Sequence, residues 1–316
     1  PSQQQLSALF EHYQNGRFAE AEELAVSVTQ EFPQHPWSWK VLGLVYNQMG
    51  QFSESLSATE TFLRLEPQDA EGYSNLGATL KELGRLDDAV ASYDQAIALK
   101  GDLTGAHYNL GITLRELGRL DEAEASYTKA IALSPDNAGI HSNLGITLQE
   151  QGRLSEAEAC YRKAIALEPD KADAYYNLGS SLQEQGRLDE AILSYKNALA
   201  YQPKYIEALH NVSIVQRCMN DLAAEVSSLE EITLIDPENY GLRALVNLAI
   251  CSFLGDDLEG SKKHLTAATK IKERTDPESK NDRTYWKYLS RILDWHDGND
   301  STGCDRKSDQ ALFIIG

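Results

Sequence analysis

The hydrophobic pattern of this chain repeats every 34 residues, most legibly in 70–103, 104–137, 138–171 and 172–205. In 138–171 a first stripe runs through His141, Leu144, Leu148 and Gln151 at helical spacing, with Gly145 beside it as a small surface for a neighbouring helix. Gly152 is expected to end that helix, because glycine adopts the left-handed backbone of a helix C-terminus at little cost. A second stripe, Ala157, Tyr161, Ala164 and Leu167, predicts a second helix. Ser155 is expected to open it, with Glu158 three places later completing a capping box. Pro169 closes it, since proline cannot continue the hydrogen-bond ladder. Each unit therefore reads as a helical hairpin with one face too apolar for water, and stacked copies bury that face. Small residues at Gly77, Gly111, Gly145 and Gly179, with Ala89, Ala123, Ala157 and Ala191, allow the paired helices to approach closely.

Tyr73, Leu76, Gly77, Leu80, Ala89, Tyr93 and Ala96 recur in phase in the next three units, where Pro135, Pro169 and Pro203 close the pattern. On these residues the chain resembles the tetratricopeptide repeat family, well over 36–239 and more weakly over 2–275. The resemblance implies an all-α fold, a right-handed superhelical solenoid of about eight hairpins with a C-terminal capping helix. The expected units are 2–35, 36–69, 70–103, 104–137, 138–171, 172–205, 206–239 and 242–275. The first keeps Gly16, Phe18, Ala21 and Pro33 without the Leu-Gly pair, and the second carries Val41 where later units have asparagine. In 206–239 Ser213 and Glu225 replace small residues, so looser packing is expected there. Adding Tyr240 and Gly241 brings the last unit back into phase.

The period breaks after Asp276. Residues 276–298 read as a loop and one capping helix, through Tyr285, Leu289, Ile292, Leu293 and His296. Residues 299–316 read as a linker or tail. Its last segment, ALFIIG, is short, apolar and β-prone, and looks like the first strand of sulfotransferases attached to bacterial repeat arrays. The expectation is that a following domain begins there; the other reading is an apolar tail.

Asparagine marks one phase of the repeat: Asn75, Asn109, Asn143, Asn177 and Asn211 stand 34 apart, and Asn247 follows after 36. All fall on first helices, whose stacking would set them in a row. Two flanking rows accompany them, Lys81, Arg115, Gln149, Gln183 and Arg217 in one, Glu82, Glu116, Glu150 and Glu184 in the other. An asparagine amide offers two donors and an acceptor that match a peptide backbone. Rungs on helices ~10 Å apart would each span ~3 residues of extended chain. The chain is similar here to the superhelical repeat region of O-linked N-acetylglucosamine transferase, and that resemblance implies these six asparagines as peptide-backbone contacts. The alternative, compatible with it, is that the amides tie one unit to the next.

Composition narrows the partners. Lys plus Arg number 29 and Asp plus Glu 48, a formal charge of −19. So acidic a surface repels nucleic acid and anionic lipid, and favours neutral or basic polypeptides. Cys160, Cys218, Cys251 and Cys304 are scattered, which argues against a disulfide framework and for a cytoplasmic setting. No apolar run approaches the ~20 residues of a membrane span, and PSQQQLSALF lacks the features of a signal peptide. His107 and His141 occupy the aromatic slot of Tyr73 and Tyr175 and are expected in the core, not on a metal. Acid pairs such as Asp121–Glu122 suit the positive end of a helix. No nucleophile–base constellation, metal site or cofactor motif is visible, so catalysis is not expected of this chain. The expected role is a protein–protein interaction scaffold that holds an extended polypeptide, with end-to-end self-association open through Phe10, Phe18, Phe32 and Trp37. The alternative is a substrate-recruiting N-terminal module of a larger glycosyl- or sulfotransferase.

Overall fold

The computed structural model of the chain describes residues 1–236, 241–254 and 258–275. Tyr240 of the expected insertion, the capping helix in 276–298 and the 299–316 tail lie outside the described residues. Two compact units form, residues 1–181 and 182–316.

The first unit is a run of antiparallel hairpins: α1 (Gln3–Gln14) with α2 (Phe18–Glu31), then α3 (Pro36–Gln48) with α4 (Phe52–Leu65). They continue as α5 (Ala70–Glu82) with α6 (Leu86–Leu99) and α7 (Thr104–Glu116) with α8 (Leu120–Leu133). The run ends with α9 (Ala138–Glu150), α10 (Leu154–Leu167) and most of α11 (Ala172–Glu184). The second unit holds α12 (Leu188–Tyr201), the hairpin α13 (Ile206–Cys218) with α14 (Leu222–Ile235), and the hairpin α15 (Gly241–Leu254) with α16 (Leu258–Thr275). Within each unit, helices pack on their neighbours in sequence. The described chain is helical throughout its regular structure.

Three hairpins of the first unit close around a glycine and a tyrosine. A Cβ placed on Gly145 would lie 2.6 Å from Cε1 of Tyr161, and Gly77 and Gly111 face Tyr93 and Tyr127 in the same way. These tyrosines and Tyr195 are fully buried, as are Ala89, Ala123, Ala157 and Ala191. The ring fills the space that the missing side chain leaves, and dense interiors tolerate few voids.

The turn is equally repetitive. Gly152 sits at φ +76° with open space around it, so backbone geometry and not crowding requires glycine there. The chain then folds back, and Arg153 N–H donates to Leu148 O at 2.9 Å. This turn overrides the expected capping box at Ser155 and Glu158. The helix opens at Leu154 with Arg153 as its cap residue and no side-chain capping bond. Arg153 instead pairs with Glu156, and Glu158 pairs with Arg162. Arg85–Asp88, Arg119–Glu122 and Arg187–Glu190 repeat that pairing. The carboxylate thus meets both an arginine and the positive end of its helix. That arginine hydrogen bond holds the Glu122 and Glu156 carboxyls below their usual range.

Candidate polypeptide-binding wall

The first helix of each hairpin in unit 1 approaches the first helix of the next: α1 meets α3, α3 meets α5, α5 meets α7 and α7 meets α9. The second helices of this unit make no such approach to one another. In a curved stack the closer set lies on the inner side, so the first helices form the inner wall. Asn75, Asn109, Asn143 and Asn177 occupy the same position on α5, α7, α9 and α11 of this unit, each half-buried. Asn211 and Asn247 are half-buried on α13 and α15 of the second unit.

The amides differ in what they touch. Asn143 Nδ2 donates to Tyr108 Oη at 2.9 Å and to Gly139 O at 3.0 Å. Asn211 Nδ2 donates to Tyr195 Oη at 3.3 Å. The side chains of Asn75, Asn109 and Asn177 have no hydrogen-bond partner among the described residues. The backbones of Asn75, Asn109 and Asn143 are fixed from behind: Thr79 and Thr113 hydroxyls donate to Asn75 O and Asn109 O at 3.1 and 2.8 Å, and the Thr147 hydroxyl to Asn143 O at 3.0 Å. These threonines are buried.

The flanking row is engaged in the fold itself. Lys81 reaches Glu82 at 3.1 Å and Glu116 of the next hairpin at 3.8 Å, and Arg115 reaches Glu150 at 3.3 Å. Gln149 Oε1 accepts from the Tyr161 hydroxyl at 2.9 Å, while its Nε2 donates to Ser180 Oγ at 3.2 Å. Gln183 accepts from Tyr195 at 2.9 Å in the same manner. Arg217 Nε donates to Glu225 at 2.6 Å. Position in the repeat marked this row for the sequence reading, but long side chains at this phase reach their neighbours in the stack. Tyr93 and Tyr127, opposite Lys81 and Arg115, keep buried hydroxyls without a hydrogen-bond partner, and burial pushes both phenols well up from their usual range.

The expected core placement of His107 and His141 is corrected. Both are half-buried, and each Nε2 lies beside a loop carbonyl six residues earlier, Gly101 O at 3.0 Å and Pro135 O at 2.8 Å. Trp39 Nε1 donates to Pro33 O at 2.9 Å from the same slot. Trp39, His107 and His141 thus share a contact of a ring nitrogen with the preceding loop, while Tyr73 and Tyr175 hold the same slot with a ring that carries no N–H.

Among the described residues no cluster of His, Cys, Asp and Glu has the arrangement of a metal site. No described helix is long and apolar enough to cross a membrane. Burial pushes the Cys160 thiol up to about 11 and, with Glu225 beside it, the Cys251 thiol up to about 12, the reverse of nucleophile activation.

Tetratricopeptide repeat models match residues 58–91, 172–205 and, in three overlapping copies, 77–114, 113–152 and 148–186. Among curated proteins no relative matches the sequence. Among solved structures, the C-terminal part of a TPR repeat-containing protein from Cytophaga hutchinsonii superposes with a TM-score of 0.61 at 15% identity, covering 76% of this chain and 97% of that one. PilF from Pseudomonas aeruginosa gives 0.55 at 18% identity, over 71% of this chain and 98% of its own. A MamA protein gives 0.50 at 26% identity, over 54% and 92%. Repeat models, hairpin geometry and structural neighbours agree, and from residue 58 to residue 205 this chain is a tetratricopeptide repeat array.

Proposed function

We propose that this chain is a protein–protein interaction scaffold that holds an extended polypeptide along the wall of first helices. The observation that carries the reading is the set of free amides at Asn75, Asn109 and Asn177, half-buried at one position on first helices of the first unit. A half-buried amide without a partner leaves hydrogen-bonding capacity unused. A peptide backbone supplies the matching carbonyl and N–H, and each such bond contributes about 0.5–1.5 kcal/mol net. Binding through the backbone is tolerant of the ligand's side chains. Neutral and basic segments suit the acidic chain best. The eight units of 2–35 through 242–275, the rows counted on them, Asn143, Asn211 and Asn247 as further peptide-backbone contacts, and the Lys81-to-Arg217 row as flanking contacts belong to this proposal.

The test is binding of random peptides of about 15 residues, a length that ~3 residues per rung would span, to the parent and to Asn75→Ala/Asn109→Ala/Asn177→Ala. The triple variant should lose at least tenfold in affinity while keeping its helical circular dichroism. Equal affinity in a folded triple variant removes the reading. The alternative, recruitment of polypeptides to a following transferase domain, uses the same wall, and the reading frame of the natural gene beyond residue 316 separates the two.

A further inference from the structure

One amide of the first unit's row is engaged where the others are free, and one residue accounts for it. Tyr108 stands on α7, one position before Asn109, and crosses to the next hairpin, where its hydroxyl accepts from Asn143 Nδ2 at 2.9 Å. The second Nδ2 hydrogen of Asn143 goes to Gly139 O at 3.0 Å, so both donors of this amide are used. In the hairpins on either side the position of Tyr108 is held by Ser74 and Ser142. A serine hydroxyl is one bond beyond Cβ and too short to cross the ~10 Å between packed helices. The amides those serines would face, Asn109 and Asn177, are left without a partner, as is Asn75, where the position is held by Lys40, itself paired with Asp69 and Glu71.

One further contact holds Tyr108 in place: its ring rests at 6.1 Å from that of Tyr127, tilted by 57°.

We infer that Tyr108 closes one rung of the ladder, withdrawing the Asn143 donors from a bound polypeptide. An extended segment is then gripped by donor and acceptor together at Asn75, Asn109 and Asn177, and at Asn143 only through Oδ1. This rests on the peptide-holding reading above and adds the register of the contacts. Tyr108 is a specificity-determining residue on this account: it decides which of the ligand's carbonyls go unbound.

The experiment measures the tightest-binding member of a random pool of about 15-residue peptides against parent, Tyr108→Phe, Tyr108→Ser, Asn109→Ala and Tyr108→Phe/Asn143→Ala. Opening the rung should raise affinity by about two- to tenfold in Tyr108→Phe, the range of one neutral hydrogen bond. Tyr108→Ser, which installs the residue of the flanking hairpins, should do the same. The gain should vanish in the double variant. A tyrosine that only ties two hairpins together would lower thermal stability without changing affinity, and one that donates to the ligand would lose affinity as phenylalanine; either result overturns the inference. If Asn109→Ala weakens binding while neither Tyr108 variant strengthens it, the inference falls and the ladder stands. If Asn109→Ala binds as the parent does, or no peptide binds the parent, the ladder falls and Tyr108's role with it.

Discussion

At the scale of the residue, Gly77, Gly111 and Gly145 of three first helices each form one packing unit with the tyrosine of the second helix, Tyr93, Tyr127 and Tyr161. The Tyr161 ring cannot retreat from Gly145, because its hydroxyl is held by Gln149 and the ring is fully buried. Gly145→Ala puts a Cβ within 2.6 Å of that ring, and is expected to cost about 1–3 kcal/mol by overpacking, although alanine is the better helix former. A urea midpoint at or above the parent's would show that the ring yields freely. This pairing was legible in the sequence, because Gly77, Gly111 and Gly145 stand 16 residues before Tyr93, Tyr127 and Tyr161. The state of each asparagine was not. Periodicity places Asn109 and Asn143 identically, and the difference between them comes from Tyr108 in one neighbour and Ser74 in the other, a contact 35 residues apart for Asn143. A row read by phase alone averages over such neighbours.

At the scale of the element, the hairpins and their order followed from stripe, glycine and proline. The helix starts did not follow from capping rules: the repeated Gly-Arg-Leu turn ties Arg153 N–H to Leu148 O and leaves Ser155 inside the helix. The hairpin of α13 and α14 departs furthest. Glu225 stands where Ala89, Ala123, Ala157 and Ala191 stand elsewhere, and it is fully buried against Arg217, with Oε2 lacking a hydrogen-bond partner. The looser packing expected from sequence is replaced by an ion pair whose acidic half is sealed from water. Removing the arginine leaves that charge stranded, whereas removing the glutamate leaves Arg217, which is 45% exposed, with a path to solvent. Arg217→Ala should therefore cost about 2–4 kcal/mol, somewhat below a fully buried pair because of the arginine's exposure. Glu225→Ala, which restores the small residue of the other hairpins, should cost clearly less. Chemical denaturation of the two variants decides it, and the reverse order would mean that the carboxylate is the better-satisfied partner.

At the scale of the whole molecule, charge and hydrogen bonding make separable demands on a ligand. The formal charge of −19 attracts basic segments over distances set by salt, about 10 Å at 0.1 M and about 3 Å at 1 M. Near the wall, Glu82, Glu116 and Glu150 stay 40–44% exposed even while paired with Lys81 and Arg115, so their field reaches a ligand lying on the first helices. The proposed amide contacts would be short-range and between neutral groups, so salt would scarcely weaken them. A lysine-rich peptide should therefore bind more tightly than a glutamate-rich one of equal length at about 0.1 M salt, and most of that advantage should be gone at about 1 M. The loss caused by Asn109→Ala should be the same factor at both concentrations. Titrations of both peptides against parent and variant at the two salt levels test this directly. A lysine preference that survives high salt would place specific acidic contacts ahead of the general field. An asparagine effect that disappears with salt would mean that the amide acts through neighbouring charges and not through the peptide backbone.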